Sequence, residues 1–190
     1  MAVFQWDKSF DTGLKTVDEQ HRGLVALINK LSDLVERGVA FSAPEMEPLC
    51  GELSAYTRYH FEEEGQLMQD AGLDPRHLEA HHREHEGFLM EVRRIRQGKD
   101  PSLEGARELL RFLTYWLSYH ILNLDQSMAH QMAAIRNGAQ ASEAYAAIQI
   151  QGEIASSPLL KSLNILFEIV SQRNLQLYEM NQSLEAKVAE

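Results

Sequence analysis

Apolar residues recur along this chain in the three- and four-residue steps of amphipathic helices, without the sustained alternation that strands require. Leu24, Leu27, Ile28, Leu31, Leu34 and Val35 form the first stripe. Thr16 and Glu19 fit a Thr-x-x-Glu capping box ahead of it and Gly38 follows its end, which predicts a first helix between them. Ser42-Ala43-Pro44-Glu45 repeats the box with an early proline and predicts a second helix running to Asp70, stopped by Gly72. Asp74-Pro75 reads as a cap followed by proline at the first helical position, opening a third helix that Gly98 closes. Asp100-Pro101 gives the same signal for a fourth, reaching Asn137-Gly138. Four long amphipathic helices with short joints indicate an all-α fold, an antiparallel up-down four-helix bundle over residues 1–137. Residues 1–17, with Phe4, Trp6 and Phe10 but no period, are expected to form an extended arm packed on it.

After Gly138 the pattern changes, and residues 138–190 read as a helical extension. Ser142 to Ser156 suggests a short helix, and Ser157-Pro158 opens a further one through Glu190. In that segment Leu163, Val170, Leu177 and Leu184 fall on one core position of a heptad. Leu160, Phe167, Asn174, Asn181 and Val188 fall on the other. Asparagine at such positions costs stability but fixes register and favours two strands. Residues 158–190 are therefore expected to make a parallel homodimeric coiled coil, with a lone helix docked on the bundle as the alternative. The repeat is still in phase at Glu190 and is expected to continue into a longer protein.

A net charge of −10 argues against a nucleic-acid partner, which needs clustered Lys and Arg. No apolar run approaches the ~20 residues of a membrane span. The N-terminal MAVFQWDKSF lacks a signal-peptide layout. These features lead us to expect a cytoplasmic protein with no membrane partner. Cys50 is the only cysteine, so an internal disulfide is excluded.

The eight histidines change the picture. His21 follows Asp18-Glu19-Gln20 in the first helix. His60 and Glu64 stand four apart in the second, and His81 and His85 four apart in the third. His120 and Asp125 stand five apart in the fourth. A spacing of four puts two side chains on one helix face, and five still converges if the carboxylate reaches sideways. In an up-down bundle, at ~1.5 Å per residue, all seven fall in one zone near the same end. Imidazole and carboxylate suit iron, manganese or zinc. Seven ligands are too many for one zinc ion and fit two metals sharing carboxylate bridges. His77, His82 and His130 read as structural or solvated. A ferritin-like site needs two Glu-x-x-His pairs, and only Glu79…His82 matches, facing away from His81 and His85.

Trp6, the DEQH ending at His21, HFEEE from His60, HHREH ending at His85, and Trp116…His120…Asp125 together resemble the hemerythrins, specifically the bacterial hemerythrin domains, over residues 3–132. The resemblance implies two iron ions with a bridging oxo or hydroxo group. His81, His85 and His120 would bind one iron, His21 and His60 the other, and Glu64 and Asp125 would bridge. O2 would bind at the second, five-coordinate iron. Leu24, Phe61, Trp116, Leu117 and Ile121, each within a turn of a ligand, would line a dry O2 pocket. The C-terminal extension then points to a sensor of O2, NO or redox state. Such a sensor would relay through the coiled coil to an output domain, a diguanylate cyclase first and a histidine kinase second. The alternatives are a stand-alone O2 carrier or store, and a di-iron peroxidase or NO-handling enzyme.

Overall fold

The computed structural model describes residues 3–97 and 102–155. Helix α1 spans Lys15–Glu36, α2 Met46–Asp70, α3 Pro75–Gln97 and α4 Leu103–His120. The fourth helix continues through one π turn, Ile121–Asp125, into α5, Gln126–Arg136. Helix α6, Ala141–Ala155, follows Gly138. The predicted coiled coil over 158–190 lies outside the described residues, as do Gly98 and Asp100-Pro101. Among the described residues there is no strand, and no helix is long and apolar enough to cross a membrane.

Helix α1 packs on α2 and α4, and α3 packs on the same two, which closes a ring of four. One apolar cluster joins Val17 of α1, Met68 near the end of α2, Leu73 before α3, and Met128 and Met132 of α5. Starts of α1 and α3 thus meet ends of the second and fourth helices, as an up-down order requires. The predicted stripe on α1 is buried throughout. The compact unit around this core is Met1–Ile148, and Gln149–Glu190 forms a second. Within the first unit the start of α6 is seated by buried Ala144 and by the Arg76 guanidinium lying 4.3 Å over the Tyr145 ring.

The helix ends differ from the sequence expectation at two starts. Helix α1 begins at Lys15 with Leu14 in the cap position, so Thr16 lies inside the first turn and makes no box with Glu19. The loop is held instead by the Asp18 carboxylate, which accepts from Thr12 N at 2.8 Å, Thr12 Oγ1 at 2.7 Å and Gly13 N at 3.2 Å. Helix α2 starts at Met46, later than Ser42, and Glu45 makes no side-chain cap. Pro48 is then the proline of the first turn, where a missing N–H costs nothing. Asp74 does cap α3, accepting from Arg76 N at 2.9 Å. The described start of α4 is capped by Ser102, which accepts from Glu104 N at 3.0 Å. Gly38, Gly72 and Gly138 close their helices with positive φ.

Gly23 of α1 lies directly against the Tyr56 side chain of α2. A Cβ there would collide with the Tyr56 hydroxyl and ring. Helix propensity favours alanine by ~0.5–1 kcal/mol, but such overpacking costs ~1–3 kcal/mol. Gly23→Ala is therefore expected to lower the urea unfolding free energy, and to cost less in a Tyr56→Ala background.

Candidate metal centre

Each of the four long helices turns titratable side chains into the bundle. His21 comes from the second turn of α1, His60 and Glu64 from α2, His81 and His85 from α3. His120 ends α4 and Asp125 ends the π turn. All seven are buried, none more than 4% exposed. The five-residue gap between His120 and Asp125 has a structural cause: a π turn spans about one more residue than an α turn, so both side chains face inward. The spacing made convergence plausible, but the turn that delivers it was not anticipated.

Two groups form within this set. His81, His85 and His120 meet through Nε2, with His120 3.1 Å from His81 and 3.0 Å from His85. His21 and His60 lie on the other side, their rings edge to face at 4.8 Å. Glu64 belongs to both groups: Oε2 is 3.4 Å from the Nε2 atoms of His81 and His85 and 3.5 Å from that of His60, and Oε1 is 3.8 Å from His21 Nε2. Asp125 spans them too, with Oδ2 3.1 Å from His21 Nε2 and Oδ1 3.2 Å from His120 Nε2.

Burial pushes His85 down to about 3 and His60 down to about 4. Both are neutral imidazoles with a lone pair to offer. On His120 burial acts downward as well, but Asp125 and Glu64 outweigh it and push the ring up to about 10. Burial acts upward on Glu64 and Asp125, and the surrounding imidazoles nevertheless hold both well below the usual carboxylate range. Two buried carboxylates therefore demand a counter-cation, and in the side chains alone it is a proton on His120.

The unsatisfied atoms give the fit test for metal. Both oxygens of Glu64, both of Asp125 and Nε2 of His21 and His60 are buried with no hydrogen-bond partner among the described residues. An uncompensated buried carboxylate costs several kcal/mol, whereas two cations would satisfy all of these atoms together. The residues fit a pair of metal ions: Glu64, His81, His85 and His120 can surround one, and His21, His60 and Glu64 the other.

A surrounding layer holds the rings. Gln20 Oε1 lies 2.9 Å from His60 Nδ1, which leaves His60 Nε2 facing Glu64. Phe61 stacks on His85 at 3.6 Å and Trp116 on His120 at 4.3 Å. These two rings thus line the three-histidine side. Leu24, Leu117 and Ile121 are buried. Trp6 lies 6.3 Å from the His21 ring, donates to Asp11 at 3.0 Å and sits under the Arg22 guanidinium. His82 and His130 are exposed. His77 is buried and reaches His81. Gln20 was visible beside His21 but had no role assigned to it. Gln131, which bonds His77, carried no sequence signal.

The hemerythrin HHE cation binding domain family matches residues 12–131. A bacteriohemerythrin of Pseudomonas aeruginosa is 32% identical over 139 residues, 71% of this chain and 88% of that protein. One from Stenotrophomonas maltophilia is 31% identical over 137 residues, 72% and 86% of the two chains. A myohemerythrin of Theromyzon tessulatum is 26% identical over 122 residues, 64% and 88%.

A group held at about 10 keeps its proton at pH 7, and a metal must displace that proton to use the ring. Loading the metal-free protein with Zn2+ in weak buffer at pH 7 is expected to release at least one proton per chain. An indicator-dye titration reads it, and no release would mean His120 is already neutral.

Proposed function

This chain belongs to the hemerythrin family of di-iron oxygen-binding domains, and we propose on that premise that His81, His85 and His120 hold one iron, His21 and His60 the other, and Glu64 and Asp125 bridge them. The observation that carries this reading is the pair of histidine groups sharing one carboxylate, with a second carboxylate spanning both. When bound, the di-iron centre supplies the electrons and the open coordination position that O2 needs. The chain's own contribution is asymmetry and dryness. With three imidazoles on one side and two on the other, the position left for O2 would fall on the His21 and His60 side. Leu24, Leu117 and Ile121, all buried, and Phe61 and Trp116, stacked on His85 and His120 of the three-histidine side, would together keep water and proton donors from the centre. Once metal has displaced the His120 proton, the five imidazole ligands would add no charge to that of the two carboxylates, which favours the reduced pair of ions.

The finer role we infer is that of a sensor for O2, NO or redox state. Helix α4 carries His120 and runs through Asp125 into α5 without a break. Gly138 and α6 follow directly, so the C-terminal extension begins one short helix away from two proposed ligands. The heptad over 158–190, read as a homodimeric coiled coil, supports relay to an output domain, a diguanylate cyclase first and a histidine kinase second.

Iron content with an anaerobic visible spectrum, before and after air, tests both levels. About two irons per chain with near-ultraviolet bands appearing in air is the expected result, and one zinc or no metal would overturn it. Rapid decay of the oxygenated form is expected of a sensor, whereas a long-lived adduct would make the domain a carrier. Deleting residues 139–190 ahead of an output domain is expected to abolish its redox response.

A further inference from the structure

His77 sits one turn before His81, is 3% exposed, and is no part of the seven-residue set. Its Nε2 lies 3.4 Å from His81 Nδ1, on the side of that ring away from the site. Its Nδ1 lies 3.0 Å from the side-chain amide of Gln131 on α5, which is itself 1% exposed. The amide nitrogen also stands 3.3 Å from Ser127 O, while Gln131 Oε1 is buried without a partner among the described residues. Three buried polar side chains thus form one line from the site to α5.

We propose that His77 and Gln131 are positioning residues that fix His81 as the Nδ1–H tautomer, its Nε2 lone pair turned to the metal, with Gln131 meeting His77 through its amide oxygen. The proposal rests on the ligand role given to His81 above.

Hydrogen bonds along this line are self-consistent in two directions only. Running inward, Gln131 donates to His77 Nδ1, and His77 Nε2–H donates to His81 Nδ1. The His81 proton is then forced onto Nε2, where it occupies the lone pair a metal needs. Running outward, His81 Nδ1–H donates to His77 Nε2, and His77 Nδ1–H donates to an oxygen of Gln131. Only the outward direction leaves His81 Nε2 free. It requires the amide of Gln131 to present Oε1, a half-turn that exchanges two atoms of nearly equal size and gives the orphaned oxygen a donor, at the expense of the long 3.3 Å bond from the amide nitrogen to Ser127 O. Imidazole ligands are commonly fixed in this way by a partner on the other ring nitrogen, and Gln20 stands in the same relation to His60. His77 and Gln131 differ in that they join a ligand on α3 to α5, so the position of one proton at the site is tied to a side-chain orientation on the helix leading to the C-terminal extension.

Zinc binding to the full 190-residue chain tests this, because Zn2+ is diamagnetic and the readout is affinity and tautomer. Chelator competition gives stoichiometry and affinity, and two-bond 1H–15N spectra show which nitrogen of each histidine carries hydrogen. The expected result is about two Zn2+ per chain with both His81 and His77 as Nδ1–H. His77→Phe, which keeps the ring volume, is expected to weaken one of the two sites by about 10–100-fold and leave the other unchanged. Gln131→Leu is expected to act likewise. Gln131→Glu, which can only accept, is expected to match the unaltered protein or bind more tightly. Finding Nε2–H on His77 in the zinc-loaded protein overturns the proposal, even where a variant fails to fold. So does unchanged affinity at both sites in His77→Phe. If the unaltered chain does not take up two ions, the ligand reading itself fails. If it does and the tautomer or variants disagree, only the support fails.

Discussion

Two carboxylates buried to full exclusion of water, Glu64 and Asp125, are the constraint on which the rest of this structure depends. An isolated ionised carboxylate in such a place is untenable. The chain answers by surrounding both with imidazoles from every helix of the bundle, which places a compensating cation among them by electrostatic necessity. The arrangement in turn dictates the helices. Each must be long enough to bring its residues to one level, and the level must be sealed. Phe61 and Trp116 seal one side, and the arm carrying Trp6 covers His21 on another. The salt links on the surface, such as Arg94 with Glu91 and Glu108, contribute little beside this.

Much of the site was legible because metal-ligand spacing on a helix is a rigid geometric code. His60 with Glu64, and His81 with His85, could converge in only one way once their segments were helical. Their companions in the bundle followed from depth. The capping boxes were less reliable, since Thr-x-x-Glu is a short local signal that nearby groups override. The Asp18 carboxylate holds the loop before α1, and Pro48 marks the first turn of α2. Pro48 was there to be read, whereas the reach of Asp18 was not. His77 could be seen to lie one turn from His81, but its burial could not. Gln131 was invisible because helical phase cannot be carried across Ile121–Asp125 without knowing that the turn there is wider.

Treated as a matter of phase, that wide turn has a further consequence. An α-helix advances about 100° per residue. Counted from His120 as an uninterrupted α-helix, Met128 and Met132 would point well away from the stripe of Leu109, Leu113 and His120. With one residue absorbed by the π turn they fall back in line, and both are buried. The five residues therefore store a single quantum of rotation. Were they to wind as ordinary α-helix, α5, Gly138 and the start of α6 would turn about the helix axis by roughly 100°, carrying Asp125 and Gln131 with them. The azimuth at which the chain leaves the bundle is thus set by one surplus residue, and Asp125 sits at the end of the turn that contains it.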